Sequence, residues 1–423
     1  MSRAAGRRMR RGLLAGLVTV LTVGASLAVG AAPAQADVVR DAEYWLDGYG
    51  IRSAWNTTRG EGTTIAIIDT GIANGPAEFN GAVVGGIDVS GVGSPDGRTP
   101  VGSVNENQHG SWVASLAAGR GNGENNGVIG AAPAANLLSI SVGFGSSGST
   151  VPFDEQIEEA VRWAVDNGAD VINMSLTTNT KTWPESWDEA FLYAYQHGVV
   201  VVAAAGNRGS GTDVVGAPAT IPGVLTVAGV DKSGNASVGA STQGITLGVA
   251  APSEELVGAS PDGSYVQWAG TSGASPIVAG IAALVKAAHP DLDTANVINR
   301  IIATARPAPG GDPLLYGHGY VDAAAAVTAD VPHVDENPMG SLEDWVTLNR
   351  RQDSTSTPIP LDFGPVPEVP PVTDSAAAAN PFLPTRETLL YVSLPLAVFL
   401  GTATLITLGA IGATRQFRRA ARK

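Results

Sequence analysis

Three side chains able to cooperate in acyl chemistry, a carboxylate, an imidazole and a hydroxyl, stand in short distinctive settings along this chain. They are Asp69 in Asp69-Thr70-Gly71, His109 in His109-Gly110-Ser111, and Ser272 in Gly270-Thr271-Ser272-Gly273-Ala274-Ser275-Pro276. A serine hydroxyl is a poor nucleophile at neutral pH, so attack on a carbonyl needs a base to take its proton and a third group to orient that base. Asp69, His109 and Ser272 supply those roles in principle. The attack also builds negative charge on the carbonyl oxygen, and one well-placed donor there accounts for about 3 to 4 kcal/mol of the barrier. Asn207, with the backbone N–H of Ser272, is the candidate oxyanion hole.

Each candidate has an element suited to position it. Thr64 to Ile68 is a β-branched and apolar run, the pattern of a fully buried parallel strand, and Asp69 follows at its carboxyl end. Open α/β sheets place their sites there. Val199 to Gly206 reads as a second buried strand delivering Asn207 to the same edge. His109 precedes the Ala-rich, helix-compatible run Ser111 to Ala118, and Gly110 leaves room beside the imidazole. Ser272 precedes Pro276 and the apolar run Ile277 to Val285, a buried helix whose N-terminal amides and dipole would face the nucleophile. The fold class expected is α/β, a mainly parallel central sheet flanked by helices.

Four blocks in this order resemble the subtilase family of subtilisin-like serine proteases (peptidase family S8) over roughly residues 42–328: Ile65 to Ile72, His109 to Ala118, Ala203 to Gly209, and Gly270 to Gly280. The resemblance implies a serine-type endopeptidase with Asp69, His109 and Ser272 catalytic. It also implies that Ser175, Leu176 and Thr177, at the end of Asp170 to Leu176, pair with the substrate backbone, and that Ala204, Ala205 and Gly206 form the facing wall. Departures are present. Trp112 replaces the second histidine of the usual His-Gly-Thr-His. Gly273 stands where a larger residue is common, which should loosen packing beside the nucleophile. Thr177 stands where a glycine usually lets substrate approach. These departures keep open a second reading, a catalytically silent subtilase-fold scaffold of a membrane secretion assembly. A lipase or esterase reading would need a Gly-x-Ser-x-Gly elbow, which Ser272 lacks.

The chain ends predict where the reaction takes place. Arg3, Arg7, Arg8, Arg10 and Arg11 precede an apolar run ending at Ala34-Gln35-Ala36, so residues 1–36 read as a secretory signal peptide. Residues 37–63 read as an N-terminal extension wrapped on the domain, too short for the long propeptide many subtilases carry. Residues 64–330 form the expected peptidase domain. Residues 331–387 read as a linker with Pro358, Pro360, Pro365, Pro367, Pro370 and Pro371, extended and semi-rigid. In it, Leu342 to Val346 is a less regular patch, read either as docked on the domain or a partner or as a solvated turn. Residues 388–414 carry no charge and are long enough to cross about 30 Å of hydrocarbon as a transmembrane helix. The basic tail 415–423 follows, placing that end in the cytoplasm and the catalytic domain outside the cell in a single-pass arrangement.

The formal charge is −14, and ten basic residues lie in the two ends with no acid among them, so the stretch between stands at −24. An acidic exported domain argues against nucleic acid as a partner. Cysteine is absent, which excludes disulfides, thiolate metal sites and a cysteine nucleophile. No cofactor and no metal site is expected; calcium is a common stabiliser in the family, but no ligand pattern is recognisable here. Protein or peptide substrates, the membrane through residues 388–414, and secretion-system components are the expected partners. The whole layout resembles the mycosins, membrane-anchored proteases associated with type VII secretion.

Overall fold

Strands whose side chains are apolar on both faces need cover on both sides, and a parallel sheet sandwiched by helices supplies it. The computed structural model describes residues 38–103, 106–145 and 148–350. Three short helices, α1 (Val38–Ala42), α2 (Trp45–Gly48) and α3 (Ile51–Ala54), lead into β1 (Thr64–Asp69) and β2 (Val83–Asp88). There follow α4 (His109–Ala118), β3 (Asn136–Ser141), α5 (Phe153–Asp166), β4 (Val171–Met174), α6 (Glu185–Gln196), β5 (Val200–Ala204), β6 (Leu225–Val230) and β7 (Leu247–Pro252). The remainder comprises β8 (Leu256–Ala259), β9 (Tyr265–Trp268), α7 (Thr271–Ala288), α8 (Thr294–Ala303), α9 (Pro313–Tyr316), α10 (Ala323–Thr328) and α11 (Leu342–Asn349).

The main sheet has the order β2-β3-β1-β4-β5-β6-β7, and every neighbouring pair in it is parallel. β1 lies between β3 and β4: β2 takes the edge, β3 inserts between it and β1, and the chain then crosses to the other side of β1 and builds outward from β4 to β7. That reversal opens a crevice at the carboxyl ends of the strands. Every residue of β4, β5, β6 and β7 is buried. β8 and β9 form a separate antiparallel hairpin leading directly into α7.

Helix α7 is long and apolar enough to span a bilayer, yet 78% of that stretch is buried inside the protein. It is a core helix: Ile277, Ile281, Leu284 and Val285 are fully enclosed. The segment before β1 packs on the domain, with Trp45, Leu46, Ile51 and Ala54 fully buried. Hydrogen bonds tie it down, among them those from Tyr44 Oη to the Glu254 carbonyl at 2.8 Å and from Trp55 Nε1 to the Ala131 carbonyl at 2.9 Å.

The linker does not begin at residue 331. Asn296 exchanges two hydrogen bonds with the backbone of Val334, Gly223 N–H donates to the Met339 carbonyl at 3.0 Å, and Leu342 is buried. The docked chain therefore runs through Arg350, because Leu342 and Trp345 are apolar anchors one helical turn apart that a solvated spacer would not retain. The signal peptide (1–36), the proline-rich segment, the transmembrane helix (388–414) and the basic tail (415–423) lie outside the described residues.

Candidate active site

Asp69 ends β1 and is completely buried, with its Oδ1 accepting from the Thr70 N–H at 2.7 Å. Both carboxylate oxygens face His109: Nδ1 lies 2.8 Å from Oδ1 and 3.0 Å from Oδ2. The imidazole is the first residue of α4. That helix is pinned to the end of β1 by the Gly110 N–H donating to Thr70 Oγ1 at 2.9 Å. Gly110 does more than leave room: a Cβ on it would lie 2.5 Å from the Gly71 carbonyl oxygen, so the two motifs meet backbone to backbone. Burial works against the charged form of His109, but the charge and hydrogen bond of Asp69 outweigh it and hold the pKa above the ordinary 6.5.

Ser272 is in the first turn of α7. Its position is set by a hydrogen-bond relay from β4: Ser275 Oγ donates to Asn173 Oδ1 at 2.7 Å, Asn173 Nδ2 donates to Ser175 Oγ at 3.0 Å, and Ser175 Oγ donates to the Ser272 carbonyl at 2.8 Å. Such buried networks are rigid when every member is paired. The Ser272 hydroxyl donates to the Ser175 carbonyl at 3.3 Å in this structure. Asn207 follows β5, and its Oδ1 accepts from the Thr271 N–H at 2.8 Å and from Thr271 Oγ1 at 3.0 Å. With the carbonyl end held, the two Nδ2 protons are what this side chain offers to the recess.

His109, Ser272 and Asn207 line one recess of about 410 Å³, together with Ser175, Leu176, Thr177, Ala204 and Gly206. Ala205 is not among its lining residues and is fully enclosed. Side chains alternate along extended chain, so Ala204 and Gly206 face the recess while the intervening Ala205 faces the core; the expectation for Ala205 is corrected accordingly. Thr177 occupies the wall, where its Oγ1 accepts from the Asn179 N–H at 3.2 Å. Among the described residues no three His, Asp or Glu side chains converge as a metal-ligating cluster.

The expected looseness at Gly273 is also corrected. A Cβ there would come within 2.2 Å of Leu256 Cδ1 and 3.2 Å of Trp268 Cη2, so the volume of the missing side chain is already filled. Trp268 ends β9, and its ring centroid lies 5.8 Å from that of His109 and 5.6 Å from that of Trp112. Trp112 in turn donates from Nε1 to Ser260 Oγ at 3.0 Å. The departures at positions 112 and 273 are thus two sides of one aromatic wall against the imidazole. Sequence reasoning missed Trp268; its only signal was a tryptophan two residues before Gly270.

Further along, a second recess of about 880 Å³ shares Phe144, Thr177 and Asn179 with the first and adds Phe153 and Trp183. No sequence motif pointed to Phe144, Asn179 or Trp183.

A family model described as the subtilase family, Peptidase_S8, matches residues 60–319. Subtilisin DY of Bacillus licheniformis is 38% identical over 272 residues, covering 63% of this chain and 92% of that protein. Subtilisin E of Bacillus subtilis is 36% identical over 274 residues, with 63% of this chain and 66% of that protein covered. Among solved structures, MycP1 from the ESX-1 type VII secretion system superposes with a TM-score of 0.59 at 29% identity over 70% of this chain and 88% of that one. The MycP3 protease from the type VII (ESX-3) secretion system gives 0.58 at 32% identity, with coverages of 68% and 88%.

Proposed function

The chain belongs to the subtilase family and is a serine-type endopeptidase, and from that premise we propose that Asp69, His109 and Ser272 are its catalytic triad, with Asn207 in the oxyanion hole. The observation that carries the assignment is the pair of contacts from the buried Asp69 carboxylate to His109 Nδ1, on an imidazole that shares a recess with Ser272 and Asn207. With Nδ1–H committed to Asp69, Nε2 is the basic nitrogen.

In the reaction, Ser272 Oγ leaves the Ser175 carbonyl, turns to His109 Nε2 and attacks the peptide carbonyl carbon while its proton passes to Nε2. The oxyanion of the tetrahedral intermediate accepts from Asn207 Nδ2 and from the Ser272 N–H. Collapse breaks the C–N bond, and the Nε2 proton goes to the departing amine. Water then repeats the sequence on the acyl ester, giving the carboxylic acid and restoring Ser272. Ser175 to Thr177 and the Ala204 and Gly206 wall hold the peptide.

The same reading places the enzyme at the cell membrane, anchored by residues 388–414 with its catalytic domain outside and the 415–423 tail in the cytoplasm. The uncharged run and the basic tail support this. We extend it to an exported protease working beside a type VII secretion system. The support is the likeness to MycP1 and MycP3, whose structures are described as coming from such systems.

One observation favours the silent-scaffold alternative: the Ser272 hydroxyl is bonded to a carbonyl rather than to His109. Labelling of the full-length chain by a fluorophosphonate probe separates the two. The protease reading expects labelling of wild type and none of Ser272→Ala or His109→Ala; an unlabelled but folded wild type supports the scaffold.

A further inference from the structure

The residue match to the subtilases stops at 319, yet the chain continues in contact with the domain to Arg350. What that added segment touches is the outer wall of the second recess. Trp345, on α11, lies with its ring centroid 4.4 Å from that of Trp183, the planes 38° apart. Arg350, just past α11, donates from Nε to Asp188 Oδ2 at 2.7 Å and from Nη2 to the Trp183 carbonyl at 3.0 Å. Its guanidinium lies 5.2 Å from the Trp345 ring centroid and 5.9 Å from that of Trp183. Asp188, buried on α6, accepts from Trp183 Nε1 at 2.6 Å. Trp183 is thus held at its ring face by Trp345, at its indole nitrogen by Asp188, and at its backbone by Arg350.

Trp183 closes the loop that begins at Ser175 and passes through Thr177 and Asn179, so its position governs the strip along which a peptide would lie. Trp183 itself lines the recess together with Phe144 and Phe153. The lining is aromatic at three points, which suits a large apolar side chain. A buried carboxylate deprived of its arginine partner is strongly disfavoured, so loss of Arg350 would drive Asp188, and the indole bonded to it, toward water.

We infer that Trp345 and Arg350 are positioning residues for substrate recognition: a helix outside the subtilase match holds Trp183 in place and thereby shapes the recess that receives an aromatic or large aliphatic side chain flanking the scissile bond. This rests on the reading of Ser272 as the nucleophile.

The test uses the full-length chain and fluorogenic peptides in which each position flanking the cleaved bond carries Phe or Ala in turn. Wild type is expected to prefer Phe at one such position. In Trp345→Ala and Arg350→Met that preference falls about tenfold through KM, with kcat kept, whereas Trp345→Phe retains it. Arg350→Lys, which keeps charge beside Asp188 but lacks the planar fork, falls between. Fluorophosphonate labelling stays at the wild-type rate in all four. No Phe preference in wild type, an unchanged preference in the alanine and methionine variants, or an equal fall of kcat on every peptide would overturn the inference. Failure of wild type to label would instead strike the nucleophile assignment.

Discussion

The recess at Ser272 and the recess at Trp183 adjoin, sharing Phe144, Thr177 and Asn179, but they are built from different material. The first is assembled at the carboxyl ends of β1, β4 and β5 and the start of α7, where buried strands and a core helix leave little freedom. The second is bordered by the last described segment of the chain, α11 and Arg350, which follows the sheet in sequence and packs on Trp183 and Asp188. On the proposed function, the contrast teaches that the bond-breaking chemistry is tied to the fold's core, whereas the inferred grip on neighbouring side chains is tied to a helix outside the sheet.

Substitutions can break or sharpen this contrast. Ser272→Ala should have the largest effect, a fall in kcat of about 10⁶-fold with folding intact, read from peptide hydrolysis beside a thermal melt. Asp69→Asn should cost about 10⁴-fold, because the amide can donate to Nδ1 and hold the ring in the wrong tautomer, with no carboxylate charge to stabilise the imidazolium. It also has a pH signature. His109 acts as a base only when neutral, and its pKa is raised, so wild-type kcat/KM should fall with acid along a limb centred above 6.5. With Asp69 neutralised, burial is left as the dominant influence and the limb should move to lower pH. A limb that stays put would show that Asp69 does not govern this imidazole.

Asn207→Leu should lower kcat by about 10² to 10³-fold while leaving KM close to wild type, since its amide is needed only when the oxyanion forms. If KM rises instead, Asn207 is a binding residue for the ground state. The smallest effect concerns the aromatic wall beside His109 and is one of stability. Gly273→Met would force atoms into Leu256 and Trp268, with an expected loss of about 1 to 3 kcal/mol. Combining it with Trp268→Ala should recover part of that loss in a double-mutant cycle. Additive losses would mean that the tryptophan and the glycine are not exchanging volume.

The elements that border the recess at Ser272 were largely legible in the sequence. The runs at Thr64 to Ile68 and Val199 to Gly206 contain strands, Thr64–Asp69 and Val200–Ala204, because they are dominated by apolar side chains, and the end of a buried parallel strand lies at the crevice. That logic located Asp69 and Asn207, and an Ala-rich or apolar run after His109 and Ser272 located the two helix starts. Where the reading failed, the missing term was distance in space. Gly273 looked like a loss of packing because the indole that replaces it sits five residues earlier on a different element. Ala205 was grouped with its neighbours because a motif is written as a line, whereas a strand has two faces. The linker boundary at 331 was too early because Leu342 and Trp345 are unremarkable until Trp183 and α6 are brought beneath them.

The sequence by itself determined the kind of chemistry, since a carboxylate, an imidazole and a hydroxyl in these settings admit few other roles, and it determined the class of fold, because period and composition dictate which segments must be buried. Only the tertiary structure decided the relay from Ser275 through Asn173 and Ser175 to Ser272, the aromatic wall against His109, and the hold of Trp345 and Arg350 on Trp183. These are contacts between residues far apart in the chain. Their energy depends on separations of a few ångströms that local propensity does not specify.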